Sequence, residues 1–168
     1  MAKKVRIGII GSGFAAHFHL ASYAKVYGED FEIRAIYGRN KDKTGHLAKE
    51  WKIPKVYDTY DALLSDKEVD AVDLVIPNYL HVPYAVKAAQ AGKHVFCEKP
   101  LTGYFGPSDA SPGSWTAKGF SREQMLKAAV DDANRAYDAV TKAGVTLCYG
   151  ENWVYAPPLV KLNRLLAA

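Results

Sequence analysis

Four short segments hold residue types that could do chemistry together. The first, Gly11-Ser12-Gly13-Phe14-Ala15-Ala16, follows an apolar run at Val5–Ile10 and opens a stretch with helical spacing. In a strand-to-helix turn of this form, Gly11 permits the tight turn and Gly13 lets the backbone approach a diphosphate, while the small Ala16 lets helix and strand pack. The helix N-terminus then presents unpaired N–H groups and the positive end of its dipole to the anion. The second segment, Gly38-Arg39-Asn40, ends the next apolar run. A carboxylate at that corner would accept hydrogen bonds from both hydroxyls of a ribose and repel a 2′-phosphate. None is present, and Arg39 can instead pair with a 2′-phosphate and stack on adenine. The third and fourth segments are Pro77-Asn78-Tyr79-Leu80-His81 and Glu98-Lys99-Pro100-Leu101-Thr102, each just beyond an apolar run. A purely structural loop has no need of an acid, a base and an imidazole together. Pro77, Asn78, His81, Glu98 and Lys99 are therefore candidate cofactor-facing residues.

These segments need elements to hold them. Apolar, β-branched runs at Val5–Ile10, Phe31–Tyr37, Ala71–Ile76, His94–Cys97 and Val145–Tyr149, with a short one at Lys55–Tyr57, alternate with stretches that have helical spacing. The helical stretches are Phe14–Tyr27, Lys43–Trp51, Tyr60–Ser65, Pro83–Ala91 and Ser121–Ala143. Continuous rather than alternating apolar strands indicate burial on both faces, so the expectation is an α/β, Rossmann-type, doubly wound parallel sheet. In such a sheet, ligands bind beyond the carboxyl ends of the strands, where all four segments lie. Boundary residues agree with these elements: Asp58 as the cap before Tyr60, Pro83 in a first turn, Gly92 and Gly144 at helix ends, and a Ser121/Gln124 capping box. His19, on the first helix, reads as a packing or helix-face polar residue.

Two regions break the rhythm. Gly103–Gly119, rich in Gly, Pro and Ser with Trp115 inside it, is longer than the usual link of about 2 to 6 residues and reads as an inserted loop. From Gly150 onward, Glu-Asn-Trp-Val-Tyr-Ala-Pro-Pro leads into one helical stretch. The expected organisation is a nucleotide-binding domain over 1–150, with residues 151–168 as the crossover and first helix of a second α/β domain.

Composition narrows the remaining classes. The chain has 168 residues, 49% of them hydrophobic and 24% charged, which is enough for one core of ordinary size and far from the signature of disorder. No apolar run approaches the roughly 20 residues needed to span a bilayer. Lys3 and Lys4 precede an apolar run that leads into Gly11-Ser12-Gly13 rather than a cleavage site, so the expected location is the cytoplasm. The net charge of +4, with basic and acidic residues interspersed, shows no nucleic-acid footprint. Cys97 and Cys148 both fall in strand-like runs and read as buried reduced thiols, with no metal site expected.

The chain also resembles the glucose-fructose oxidoreductase, inositol dehydrogenase and rhizopine-catabolism family (Gfo/Idh/MocA). The resemblance rests on Ile9-Ile10-Gly11-Ser12-Gly13 through His19, on Ile76-Pro77-Asn78-Tyr79-Leu80-His81, and on Gly92-Lys93-His94-Val95-Phe96-Cys97-Glu98-Lys99-Pro100-Leu101-Thr102, in that order. It implies a nicotinamide dinucleotide at the glycine turn and a following substrate domain that often forms an oligomer interface. It also implies that Lys99 binds the substrate hydroxyl and assists proton transfer during hydride transfer at nicotinamide C4. The family's catalytic Asp and His belong to that second domain. The expectation is thus an oxidoreductase domain using NADP, with NAD possible, and acting on a secondary alcohol of a sugar, cyclitol or related polyol. The whole protein is expected to form a homo-oligomer, with no membrane or nucleic-acid partner. A non-catalytic NAD(P)-sensing module is the alternative, against which the intact Glu98-Lys99 segment argues.

Overall fold

The computed structural model describes residues 4–106 and 119–167. The chain runs β1 (Val5–Ile10), α1 (Phe14–Tyr23), β2 (Phe31–Tyr37), α2 (Lys41–Glu50), β3 (Lys55–Tyr57), α3 (Tyr60–Leu64), β4 (Ala71–Leu74), α4 (His81–Gln90), β5 (His94–Glu98), α5 (Arg122–Ala143), β6 (Leu147–Gly150) and α6 (Pro157–Leu166). All strand pairs are parallel, in the order β3-β2-β1-β4-β5-β6. The chain builds outward from β1 through β2 to β3, then returns to the other side of β1 for β4. This is the doubly wound Rossmann order, and β1 and β4 flank its topological switch point.

Neighbouring residues of β1 show why its pattern is continuous. Ile9 packs with Ala16 and Leu20 of α1 and Leu47 and Ala48 of α2. Ile10 packs on the opposite face with Leu63 and Leu64 of α3 and Ala85 and Ala88 of α4. Both isoleucines are fully enclosed. Register then sets the level of the functional ends, because Ile10 pairs with Leu74 and Leu74 with Cys97. The loops that leave β1, β4 and β5 therefore emerge side by side on one edge.

Several boundaries shift from the sequence expectation for local reasons. β4 ends at Leu74, after which Val75 N–H still donates to the Ile10 carbonyl at 3.0 Å, and Pro77 has no N–H to extend the ladder. α1 ends at Tyr23 rather than Tyr27, which is exposed and leaves the last turn no face to bury. The cap of α3 is Thr59, whose hydroxyl accepts from Ala62 N–H at 3.1 Å, while Asp58 pairs with Lys41. β6 starts at Leu147 because Val145 N–H closes the end of α5 on the Val140 carbonyl beyond left-handed Gly144. The Ser121/Gln124 capping box forms as expected.

Cys148 corrects the reading of two buried thiols. β6 is an edge strand and leaves Cys148 exposed, whereas Cys97 lies inside and burial pushes its thiol up to about 12. Lys3, Trp115 and most of the Gly103–Gly119 loop lie outside the described residues. The loop's described ends meet through the Tyr104 and Phe120 rings, whose centroids are 5.1 Å apart.

Candidate functional site

Three strand ends and two helix starts enclose a cleft of about 370 Å³. Its walls are Gly11–Ala15 from the β1–α1 turn, Tyr37–Asn40 and Lys43 from the β2–α2 turn, and Val75–Pro77, Leu80 and Tyr84 from the β4–α4 segment. Gly11 has φ +123, and a Cβ there would lie 2.3 Å from the Val75 carbonyl oxygen. Its N–H donates to the Tyr37 carbonyl at 2.7 Å, so the turn is sewn to β2 as well as β4. A Cβ on Gly13 would instead meet nothing within 4 Å. Gly13 caps α1 with no side-chain acceptor, which leaves the first turn of that helix available to an anion. Ala16 lies fully buried beneath the turn, where its size permits the helix to sit close on the sheet.

The β2 corner is cationic. Arg39 and Lys43 both line the cleft, and neither forms an ion pair among the described residues. Asn40 caps α2 by accepting from Lys43 N–H at 2.9 Å, which brings Lys43 into the first turn beside Arg39. Thr44 Oγ1 donates to the Asn40 carbonyl at 2.7 Å and lies 3.0 Å from Ser12 Oγ. This contact ties the α2 start to the glycine turn. It also hems in Gly38, where a Cβ would fall 2.4 Å from Thr44 Oγ1 and 2.7 Å from Ser12 Oγ. Tyr37 and Tyr84 on the cleft wall both stack with the buried Tyr60, with the Tyr60 and Tyr84 centroids 4.4 Å apart. Burial raises the Tyr84 phenol above its usual range, and the nearby Arg39 charge acts in the opposite sense.

Lys99 follows β5 by one residue, level with the β1 and β4 ends, and is exposed. It makes no ion pair with Glu98. The Glu98 carboxylate instead accepts the Lys99 backbone N–H at 2.8 Å and faces His19 Nε2 at 3.2 Å. The other ring nitrogen of His19 lies 2.8 Å from Asp73 Oδ2, which also accepts from Tyr23 Oη at 3.1 Å. Burial works against a charge on His19, yet the bonds to Asp73 and Glu98 prevail and raise its pKa above the ordinary histidine value. Burial, followed by Asp73, pushes the Tyr23 phenol well above its usual range.

The expected site residues thus divide. Gly11, Ser12, Gly13, Phe14, Ala15, Gly38, Arg39, Asn40 and Pro77 line one cleft. Asn78 is exposed in the turn before α4, and its side chain accepts from Tyr79 N–H at 3.1 Å. His81 corrects the expectation of a cofactor-facing imidazole. It is 1% exposed, with its ring nitrogens 2.7 Å from the Pro100 carbonyl and 3.0 Å from the Ile76 carbonyl. The ring holds two loops together and faces away from solvent. Sequence reasoning missed Lys43, Tyr37 and Tyr84 on the cleft wall. Lys43 was detectable as the residue three past the helix cap Asn40. It also missed the His19 cluster, whose signal was Asp73 inside an otherwise apolar strand.

A glycine turn at the switch point of a doubly wound sheet, opening on a cationic corner, defines a dinucleotide-binding α/β domain. The family model for the Gfo/Idh/MocA oxidoreductases, described as an NAD-binding Rossmann fold, matches residues 5–111. The chain belongs to this family and is an NAD(P)-binding oxidoreductase domain. It is similar to a D-xylose 1-dehydrogenase (NADP(+)) of Haloferax volcanii, with 31% identity over 85% of this chain and 36% of that protein. It is similar also to the scyllo-inositol 2-dehydrogenase (NADP(+)) IolU of Bacillus subtilis, with 33% identity over 58% of this chain and 29% of that protein. Among solved structures, an NAD binding oxidoreductase from Klebsiella pneumoniae superposes with a TM-score of 0.74 at 26% identity, covering 98% of this chain and 39% of the other. The chain therefore spans about a third of the length of the curated relatives it matches. No helix among the described residues is long and apolar enough to cross a membrane.

Proposed function

We propose that the cleft takes NADP in preference to NAD and serves hydride exchange with a secondary alcohol of a sugar, cyclitol or related polyol. The observation that carries the cofactor preference is the β2 corner, where Arg39 and Lys43 form no ion pair among the described residues and no carboxylate lines the cleft. The residues fit the cofactor. Gly13 leaves open space over the uncapped α1 start for the diphosphate, and Arg39, Asn40 and Lys43 would surround a 2′-phosphate. The relatives named as NADP(+) dehydrogenases of xylose and scyllo-inositol support the same reading. When bound, the nicotinamide supplies hydride acceptance or donation at C4. Lys99, an exposed residue directly after β5, binds the substrate hydroxyl through Nζ and takes up or returns its proton. Within the same proposal, residues 151–168 lead into a substrate domain of a cytoplasmic homo-oligomer. α6 supports this, because it buries no residue and leaves Leu159, Leu162 and Leu166 exposed along one stripe.

Titration of the chain with each nucleotide, followed by thermal shift and tryptophan fluorescence, tests the cofactor assignment. NADP at 100 times its Kd is expected to stabilise the fold by about 2.7 kcal/mol, with NAD requiring a higher concentration for the same effect. Equal potency would overturn the preference, and silence from both would overturn the site. Lys99→Ala, in a form of the protein that turns over a polyol, is expected to lower kcat by about 10²- to 10⁴-fold with little change in NADP affinity. Turnover at the wild-type rate would remove Lys99 from the mechanism.

A further inference from the structure

We propose that His19 is a positioning residue for Lys99, reaching from the phosphate-facing helix across β4 to lock the carboxylate that holds the Lys99 backbone. The proposal rests on the role given to Lys99 above. It starts from a connected set of bonds: Asp73 Oδ2 to His19 Nδ1 at 2.8 Å, His19 Nε2 to Glu98 Oε1 at 3.2 Å, and Glu98 Oε2 to Lys99 N–H at 2.8 Å. The set joins α1, β4 and β5, with Glu98 two residues beyond Phe96, the β5 residue that pairs with Asp73.

Hydrogen-bond capacity defines how the lock works. An ionised carboxylate only accepts, and a neutral imidazole has a single N–H. With a carboxylate at each ring nitrogen, both contacts are hydrogen bonds only while the ring carries two protons. Asp73 is fully buried, and its Oδ1 has no hydrogen-bond partner among the described residues, so Oδ2 carries its contacts to His19 and Tyr23. A buried anion met in this way holds the imidazole firmly. The ring also sits against Phe96, with centroids 5.5 Å apart, which limits its tilt.

The titratable groups around the ring come from every element packed on it. α1 supplies Tyr23, β4 supplies Asp73, β5 supplies Cys97 and Glu98, and β6 brings Cys148 near Tyr23. Both carboxylates favour the charged ring, and His19 holds its second proton to a higher pH than an exposed histidine does. A group whose pKa is raised on folding contributes stability that is complete below its unfolded value and lost as pH rises through the folded one. Above that point Nε2 turns a lone pair toward Glu98, and the carboxylate is released from the helix. The geometry at Lys99 thereby becomes dependent on a residue that does not line the cleft. It also connects the helix that faces the diphosphate to the lysine that would handle the hydroxyl proton.

Two-dimensional ¹H–¹⁵N spectra of the 168-residue chain, recorded from about pH 5 upward, read both the imidazole nitrogens and the Lys99 amide. The expected result is a His19 titration above the ordinary histidine range, with the Lys99 amide shifting at the same midpoint. In His19→Gln, which cannot be charged, the Lys99 amide loses that pH response and its hydrogen exchange quickens by about tenfold. A variant that fails to fold leaves the wild-type titration to decide. His19 titrating like an exposed histidine, or a Lys99 amide indifferent to His19, would overturn the lock. NADP binding on the same sample is read separately by thermal shift. Its absence, with the amide response intact, would overturn the proposed function and leave the lock standing.

Discussion

Arg39→Ala is expected to weaken NADP binding by about 10- to 100-fold while leaving NAD affinity nearly unchanged. The size follows from charge-assisted hydrogen bonds, worth about 1.5 to 3 kcal/mol, between a guanidinium and a phosphate. NAD lacks the 2′-phosphate, so it loses only what stacking on the adenine supplies. Lys43→Ala acts in the same sense but more weakly, because an ammonium is a point charge without the bidentate fork. Arg39 is exposed, so added salt should narrow the gap between the two cofactors. Isothermal titration of both nucleotides against wild type and variant checks this. Equal loss for NADP and NAD would show that Arg39 does not read the 2′-phosphate. A carboxylate cannot simply be placed at position 38 to reverse the preference, since its Cβ would collide with Thr44 Oγ1 and Ser12 Oγ.

The second large effect is on folding. Gly11→Ala is expected to destabilise the chain by about 2 to 5 kcal/mol, the sum of strain at positive φ and overpacking. The obstruction is backbone, because the new Cβ would stand 2.3 Å from the Val75 carbonyl oxygen and 3.0 Å from its carbon. Both are main-chain atoms at the end of β4, whose neighbours are held by the bonds from Gly11 N–H to Tyr37 and from Val75 N–H to Ile10. In a chain of this size, that loss lowers Tm by roughly 5 to 15 °C in calorimetry. Gly13→Ala is the matched control. Its φ of −94 is ordinary and its Cβ meets open space, so stability should stay within about 1 kcal/mol while nucleotide affinity falls. A Gly11→Ala protein melting with wild type would mean the turn has room that its geometry does not show.

Much of this architecture is legible from local pattern. The six strands and six helices follow from local sequence pattern, and the order of strands and helices leads directly to a parallel sheet with helices on both faces. The glycine turn is legible because φ +123 at Gly11 and the uncapped α1 start are properties of a few adjacent residues. The Ser121/Gln124 box is similarly local, with donor and acceptor three residues apart. Boundaries were less legible where several stopping signals lay close together. β4 could have run to Ile76 on composition, and only its ladder with β1 and β5 sets the end at Leu74.

Side-chain direction is where local pattern stops being informative. His81 and His19 both look like polar residues at the edge of an apolar run, yet one ring is turned onto two backbone carbonyls and the other bridges two carboxylates. His81 meets the Ile76 carbonyl close by in sequence, but its Pro100 partner and both carboxylates that meet His19 come from segments remote in sequence, so local pattern does not separate the two rings. The same holds for Glu98, which sequence adjacency would pair with the Lys99 ammonium but which the fold directs to His19. Cys97 and Cys148 occupy similar apolar runs, and only sheet order makes one central and the other an edge residue. Backbone conformation and periodicity are short-range properties and are written in adjacent residues. Which charged groups meet, and which thiol is covered, depends on strand register and helix packing across tens of residues, and so emerges only when the segments assemble.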